Sequence, residues 1–287
     1  MRISHFLAKS LNKLKLLPLF NLSATIDINK KKIIIPLIGG QGYANLNLSE
    51  PWMTNTLQCL RPLFNGNFID VGVNLGQTLV KAHTVFDHVN YIGFEPNPSC
   101  VNYAQELIRL NGLENYTIFP IGVAAKTEVL KLNFFAADKS DSSATIIEHF
   151  KSSKEDHYIY VPVFDFHAIS HFLPQQSSSI LKIDVEGAEL DVLLGLSDWI
   201  KAFHPLILVE ILPVYSEENQ SRLNRQIRIE ELLQIWDYKI ARIKKNSAIS
   251  LQTIEKIGIH SVIEDCDYLL YPAHSAEKIL KCFERSA

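Results

Sequence analysis

Phe68-Ile69-Asp70-Val71-Gly72-Val73-Asn74-Leu75-Gly76 is the stretch from which the fold of this chain is read. Phe68 to Val71 is a short, largely apolar run bounded by glycine, the pattern of a buried strand. Gly72 lets the backbone turn tightly and approach a ligand with no Cβ in the way. Gly76 opens a helix over about 77–86, whose free N–H groups and dipole favour an anionic group such as a carboxylate. Glu95 ends the next strand, Tyr91-Ile92-Gly93-Phe94-Glu95, 19 positions after Gly76. An acid at that point of a strand–turn–helix–strand unit accepts hydrogen bonds from both ribose hydroxyls of a nucleoside. Together these residues predict a site for an adenosine-containing ligand.

The same rhythm continues outward. Asn97 caps a helix with Pro98 at its first position, Val101, Ala104 and Ile108 share one face, and Gly112 closes it. Residues 116–123 read as a third strand, 129–135 as a further one, and 178–184 as a strand leading into a helix that holds Leu190, Leu193 and Leu194. Leu206-Ile207-Leu208-Val209 is apolar on both faces. The C-terminal third adds a helix over 222–236, strands that include Tyr268-Leu269-Leu270-Tyr271, and a helix from about Ala276. Such alternation predicts an α/β fold of the Rossmann-like, doubly wound kind with a mostly parallel sheet.

Upstream, Ile3, Phe6, Leu7, Leu11, Leu14 and Leu17 keep close to a 3.6 period, which predicts a helix over 2–17 ended by Pro18. Alternation from Thr25 to Ile38 around Asn29-Lys30-Lys31-Lys32 predicts a β-hairpin with a solvated lysine turn. Glu50 to Leu63 reads as a helix. The expected organisation is an N-terminal helix and hairpin extension over 1–48, acting as a lid or dimer element, and one ligand-binding domain over 49–287.

The chain has 287 residues, 47% hydrophobic and 21% charged, which excludes a disordered or fibrous protein. A net charge of -3 argues against bulk electrostatic binding of nucleic acid, so no such partner is expected. Four cysteines without a C-x-x-C pair predict reduced core thiols in a cytoplasmic protein. No apolar run reaches the roughly 18 residues of a membrane span. The helix over 2–17, with Lys9 and Lys13 beside its apolar face, has two readings: peripheral membrane contact, or packing on its own domain, which is favoured. His167 and His171 have i, i+4 spacing without the central Glu of a zinc helix, and no metal is expected. His204 and the alternating Tyr158 and Tyr160 read as structural. The polar loop over 136–157 is long enough to be functional or mobile.

A dinucleotide site calls for G-x-G-x-x-G. Here an acid, Asp70, starts the turn, and Asn74 stands where the loop would meet phosphates. An acid repels a pyrophosphate and suits the ammonium of a methionine moiety, which favours S-adenosylmethionine (SAM). A second constellation, Leu181-Lys182-Ile183-Asp184-Val185-Glu186-Gly187-Ala188-Glu189, sits at another strand-to-helix junction. Asp184 and Glu186 could position the SAM amino group, orient a substrate, accept a hydroxyl proton or hold a cation. One of them could instead cap the following helix.

Asp70–Gly76, Gly93-Phe94-Glu95-Pro96-Asn97-Pro98 and Lys182–Glu189 resemble the three main blocks of the FkbM family of SAM-dependent methyltransferases. Weaker matches lie at Gly122-Val123-Ala124, Ser142-Ser143-Ala144 and Leu208-Val209-Glu210-Ile211, so the likeness runs from about Glu50 to Pro272. It implies a class I methyltransferase fold, with seven strands and one antiparallel. It also implies O-methylation of a hydroxyl on a sugar, glycan or other natural-product acceptor. By the same resemblance Gly72, Asn74 and Gly76 line the methionine side, Glu95 the ribose, and Gly122 and Val123 flank adenine. Asp70 is taken with the cofactor residues, and Asp184 and Glu186 are the expected catalytic pair, Asp184 first because it directly ends its strand. Val73 departs from the family's common Ala and adds bulk beside the loop. Expected partners are the small-molecule or glycan acceptor and a second copy in a homodimer. Two other readings stay open: an NAD-dependent oxidoreductase on the same architecture, and a SAM-binding partner protein without transfer activity.

Overall fold

In the computed structural model, which describes residues 1–47, 49–135, 144–147, 157–176, 179–246 and 248–284, strands and helices alternate along most of the chain. The N-terminal elements are β1 (Arg2–Ile3), α1 (His5–Lys13), β2 (Asn21–Ile28), β3 (Lys31–Ile38) and α2 (Pro51–Leu60). Then come β4 (Asn67–Val71), α3 (Gln77–Val85), β5 (Asn90–Phe94), α4 (Pro98–Asn111) and β6 (Tyr116–Phe119). β7 (Gly122–Val123), β8 (Glu128–Phe134), β9 (His157–Phe164) and the one-turn α5 (Phe166–Ile169) precede β10 (Ile180–Ile183). α6 (Glu189–Gly195), α7 (Ser197–Phe203), β11 (Leu206–Glu210) and α8 (Gln220–Ile235) follow. The chain continues with β12 (Tyr238–Lys245), β13 (Ile249–Ile254), β14 (Asp267–Pro272) and α9 (Ala276–Glu284).

The central sheet has the order β13-β12-β14-β11-β10-β4-β5-β6. β11, β10, β4, β5 and β6 are parallel, and β14 enters antiparallel between β11 and β12. This is the doubly wound α/β fold expected. β12 to β6 make the seven strands with one antiparallel, and β13 adds an eighth at the edge. Successive residues of the inner strands divide between two cores, as a period of two requires. Phe68, Ile180, Leu206 and Leu208 belong to one core, and Ile69, Val71, Leu181 and Ile207 to the other. The strand order reverses between β10 and β4, which opens a crevice at their carboxyl ends.

Several expectations are corrected. The third strand divides at Pro120, which has no N–H to donate to a ladder. β6 stays in the central sheet, while β7 joins a separate sheet of order β7-β9-β8. The first helix covers only 5–13, because Arg2 and Ile3 pair with Ser23 and Ala24, and Ser4 caps the helix by accepting from the Leu7 N–H. Lys15, at φ 57, turns the chain after it, and Pro18 sits inside a 3-10 turn, Leu17–Leu19. The hairpin turn is only Asn29-Lys30, both left-handed, the geometry of a two-residue connection. Lys31 is not in a solvated turn. Its ammonium donates to the carbonyls of His83 (2.7 Å) and Phe86 (3.0 Å), fastening the hairpin to the C-terminal end of α3.

The hairpin also rests on α4. The Tyr103 hydroxyl donates to the Pro36 carbonyl at 2.9 Å, and the Asn111 side chain exchanges bonds with the Ile34 backbone. Beyond β3, Asn45 donates from Nδ2 to the Leu75 carbonyl at 2.7 Å, which carries Ser49 and Glu50 to the crevice. Cys59, Cys100 and Cys266 are buried and Cys282 half-buried, all as thiols and not as disulfides. Among the described residues no helix is long and apolar enough to cross a membrane, and no group of three acidic, His or Cys side chains is arranged around a cation.

Candidate active site

The carboxyl ends of β4, β5, β10 and β11, with β7, border a cavity of about 300 Å³, at the small end of the range for ligand sites. Its wall from the small sheet is apolar, through Val123, Leu132 and Val163. Its wall from β10 and β11 is acidic, through Asp184, Glu186 and Glu210.

The turn after β4 is held by the neighbouring strands. The Gly72 N–H donates to the Phe94 carbonyl at 2.9 Å, and the Gly72 carbonyl accepts from Lys182 Nζ at 2.8 Å. Gly72 has φ 86, and a Cβ there would lie 1.9 Å from the Asp184 carbonyl oxygen. A side chain here is thus ruled out by the backbone beside it, and Gly72 also borders the cavity. Val73, buried, is housed because Gly93 has no side chain: a Cβ on Gly93 would come within 2.5 Å of Val73 Cγ2. Part of the extra bulk relative to Ala, Cγ2, is accommodated against Gly93 of β5.

Glu95 is buried, not a surface acid at a strand end. Its two carboxylate oxygens accept from the backbone N–H groups of Asn74 and Asn97, both at 2.8 Å. Burial pushes its pKa up to about 7, against those two backbone donors. A carboxylate has about four acceptor positions. Two are spent on the turns, and Glu95 also lines the cavity.

Lys182 joins the two motifs. It lies opposite Asp70 in the β10–β4 register. Its ammonium is 3.2 Å from Asp70 Oδ1 and 3.3 Å from Asp184 Oδ2. Burial disfavours the ammonium, yet the charges of Asp184 and Asp70 outweigh it and hold the lysine above its ordinary range. Asp70 is raised by its own complete burial, with Lys182 and the Tyr91 hydroxyl pulling the other way. Glu189 accepts from the Gly187 N–H at 2.8 Å and is pushed up to about 7 by burial.

Of the residues named from sequence, Gly72, Asn74, Glu95, Gly122, Val123, Asp184 and Glu186 all line this one cavity. Asp70 and Gly76 do not. Asp70 is fully buried behind the turn, facing Lys182 and Tyr91. A Cβ on Gly76 would meet Leu107 of α4 at 2.9 Å, so that glycine serves helix packing. Gln77 and Thr78, the first residues of α3, border the cavity instead. Glu186 takes a left-handed backbone, φ 51, and its carbonyl accepts from the Thr145 hydroxyl at 2.6 Å. That bond brings Thr145 and Ile146 over the cavity; Ser142 and Ser143 lie outside the described residues.

Sequence reasoning missed three residues. Lys182 was visible only as part of a motif. Glu210 ends β11, and burial followed by the charges of Asp184, Asp267 and Glu186 pushes it up to about 9. Glu50 stands at the rim, 2.9 Å from the buried ammonium of Lys81.

A family model described as Methyltransferase FkbM domain matches residues 70–240. Methyltransferase 1 of Beauveria bassiana (strain ARSEF 2860) is 26% identical over 147 residues, 45% of this chain and 58% of that protein. A solved Methyltransferase FkbM from Methylobacillus flagellatus KT superposes with a TM-score of 0.46 at 15% identity, covering 93% of this chain and 60% of that one. A SAM-dependent O-methyltransferase from Thermotoga maritima gives 0.37 at 13% identity, over 86% of this chain and 76% of its own. The chain thus spans less than two thirds of the curated relative and of the solved FkbM protein.

Proposed function

The chain belongs to the FkbM methyltransferase family, and on that premise we propose that it moves the methyl group of SAM to a hydroxyl of a sugar, glycan or other natural-product acceptor. One observation carries the reading. Glu95 is fixed at the cavity by two backbone donors, with acceptor positions left for the two hydroxyls of a ribose. The surroundings fit the rest of the cofactor: an apolar wall at Val123 and Val163 for adenine, and the first turn of α3 at Gln77 and Thr78 for a carboxylate. SAM, when bound, supplies a methyl carbon already activated by the sulfonium charge.

The protein's part is alignment and proton removal. The acceptor oxygen must be held within about 3–3.5 Å of the methyl carbon. Asp184 and Glu186 are the groups on the acidic wall that can orient the hydroxyl and take its proton as the new C–O bond forms. Asp184 shares Lys182 with Asp70, and that ion pair fixes its carboxylate on the acidic wall. Either Asp184 or Glu186 can serve as the base, with Asp184 first because it directly follows β10. Glu210, pushed up to about 9, keeps its proton at neutral pH and can donate a hydrogen bond on the same wall. Three carboxyl groups there disfavour an anionic acceptor and suit a neutral polyol.

The test is turnover. The purified chain is incubated with SAM and a panel of neutral sugars, glycans and hydroxylated natural products, and S-adenosylhomocysteine is quantified. The reading expects product with the methyl group on oxygen. Transfer only to nitrogen or carbon acceptors, or nicotinamide-dependent oxidation of the same panel, would contradict it.

A further inference from the structure

The apolar surface of the described residues is concentrated at one place. Seven of the seventeen exposed large hydrophobic side chains fall within the first 20 residues: Met1, Phe6, Leu7, Leu14, Leu16, Leu19 and Phe20. Phe6 is 81% exposed, Leu14 66% and Leu19 72%. The helix α1 explains the arrangement. At 3.6 residues per turn, Phe6, Leu14 and Leu7 share an arc of about 100°, with Lys9 and Lys13 along one border. The opposite side rests on the protein through buried Ala8 and half-buried Leu11. The left-handed Lys15 then folds the chain back, and the Leu16 N–H donates to the Leu11 carbonyl at 2.9 Å. This sets Leu16 and Leu19 beside the end of the helix that carries Leu14.

Charge is segregated in the same segment. Residues 1–26 contain Arg2, Lys9, Lys13 and Lys15 and no acidic residue; the first is Asp27. The net charge of -3 is therefore +4 over residues 1–26 and −7 over the rest. A self-complementary contact with a second copy would set lysines against lysines. An apolar arc bordered by lysines matches the boundary between acyl chains and acidic headgroups.

We propose that residues 1–20 form a docking surface for an anionic lipid bilayer, with Phe6, Leu7, Leu14 and Leu19 entering the headgroup boundary and Lys9, Lys13 and Lys15 contacting acidic headgroups. Contact of this kind is peripheral, because α1 has nine residues, far short of a span. Ile3, Ala8 and Leu17 are buried in the protein and anchor the surface to the fold. The proposal is independent of the methyl-transfer reading.

The experiment is cosedimentation of the full chain with phosphatidylcholine vesicles, and with phosphatidylcholine vesicles containing about one third phosphatidylglycerol, at about 0.15 M salt. The bound fraction is expected to partition at least ~10-fold more strongly to the anionic vesicles. F6S/L14S/L19S should lose at least ~10-fold of that partitioning, and K9Q/K13Q should remove most of the anionic preference while leaving any weak neutral binding. All five positions are exposed, so each variant should melt as the parent does. Absence of vesicle binding, equal binding to both vesicle types, or indifference of binding to both variants would overturn the proposal. So would a parent dimer that F6S/L14S/L19S converts to monomer without any vesicle binding, which would make the surface a subunit interface.

Discussion

Replacing Lys182 by Met removes the cation that ties the two motif turns together. In the parent, Lys182 is 5% exposed, beside an Asp70 that is 0% exposed. Met keeps most of the volume, so packing changes little and the loss is electrostatic. Removing one partner of a buried pair costs about 3–5 kcal/mol, because the other charge is left uncompensated. In a domain of this size that lowers the melting temperature by roughly 6–20 °C. The pH dependence identifies the cause. Asp70 already stands above its ordinary value of 3.8 through burial, and loss of Lys182 raises it further. An acid raised in the folded state gives its full contribution below the unfolded value and loses it as pH rises through the folded one. The deficit of K182M should therefore grow between pH 5 and pH 8 and shrink on acidification. K182M/D70N, which removes both charges, should be less destabilised than the sum of the two single variants, with a coupling of about 1–3 kcal/mol. Thermal melts of the parent, both single variants and the double variant across that pH range provide the measurement. A K182M protein that melts with the parent at pH 8, or a double variant as unstable as the sum of the singles, would refute the argument.

Other outcomes follow from the same geometry. Gly72→Ala should destabilise the fold by several kcal/mol, since the new Cβ would lie 1.9 Å from the Asp184 carbonyl; a parent-like melt with lost cofactor binding would favour the ligand-space explanation. Of Asp184→Asn and Glu186→Gln at least one, Asp184→Asn first, should lower turnover by about 100-fold or more with SAM affinity changed little; near-parent turnover in both would remove the pair from the mechanism. Glu210 carries a raised pKa of about 9, so Glu210→Gln, which mimics its protonated form, should retain turnover at pH 7 and lose the parent's pH dependence near 9 in a rate profile.

How much of this was legible in the sequence depends on how local each cause is. The boundaries of α4 were readable because Asn97, Pro98 and Gly112 each act within a turn of the helix. The turn after β4 and the acid at Glu95 were readable for the same reason. What the sequence hid depends on strand order. Lys182 donates to the Gly72 carbonyl across 110 positions, and only the pairing of β10 with β4 makes them neighbours. The same pairing turns Asp70 from a cofactor ligand into the buried partner of a lysine. Glu210 becomes visible only when β11 is set beside β10 and its carboxyl joins those of Asp184 and Glu186. Lys31 was misread because a lysine run looks solvated until the end of α3 is set against it. The split at Pro120, by contrast, was legible in principle, since a proline inside an apparent strand marks an edge or an end.

The central claim, that Glu95 and the turn after β4 bind the adenosine and methionine parts of SAM, is tested most directly by isothermal titration of S-adenosylhomocysteine into the parent chain and into Glu95→Gln. The account predicts one site in the parent, no heat with NAD, and an affinity roughly 10–100-fold weaker in the variant, because a charged acceptor bond contributes about 1.5–3 kcal/mol. A parent chain without heat from S-adenosylhomocysteine, or a Glu95→Gln variant that binds it as the parent does, would contradict it.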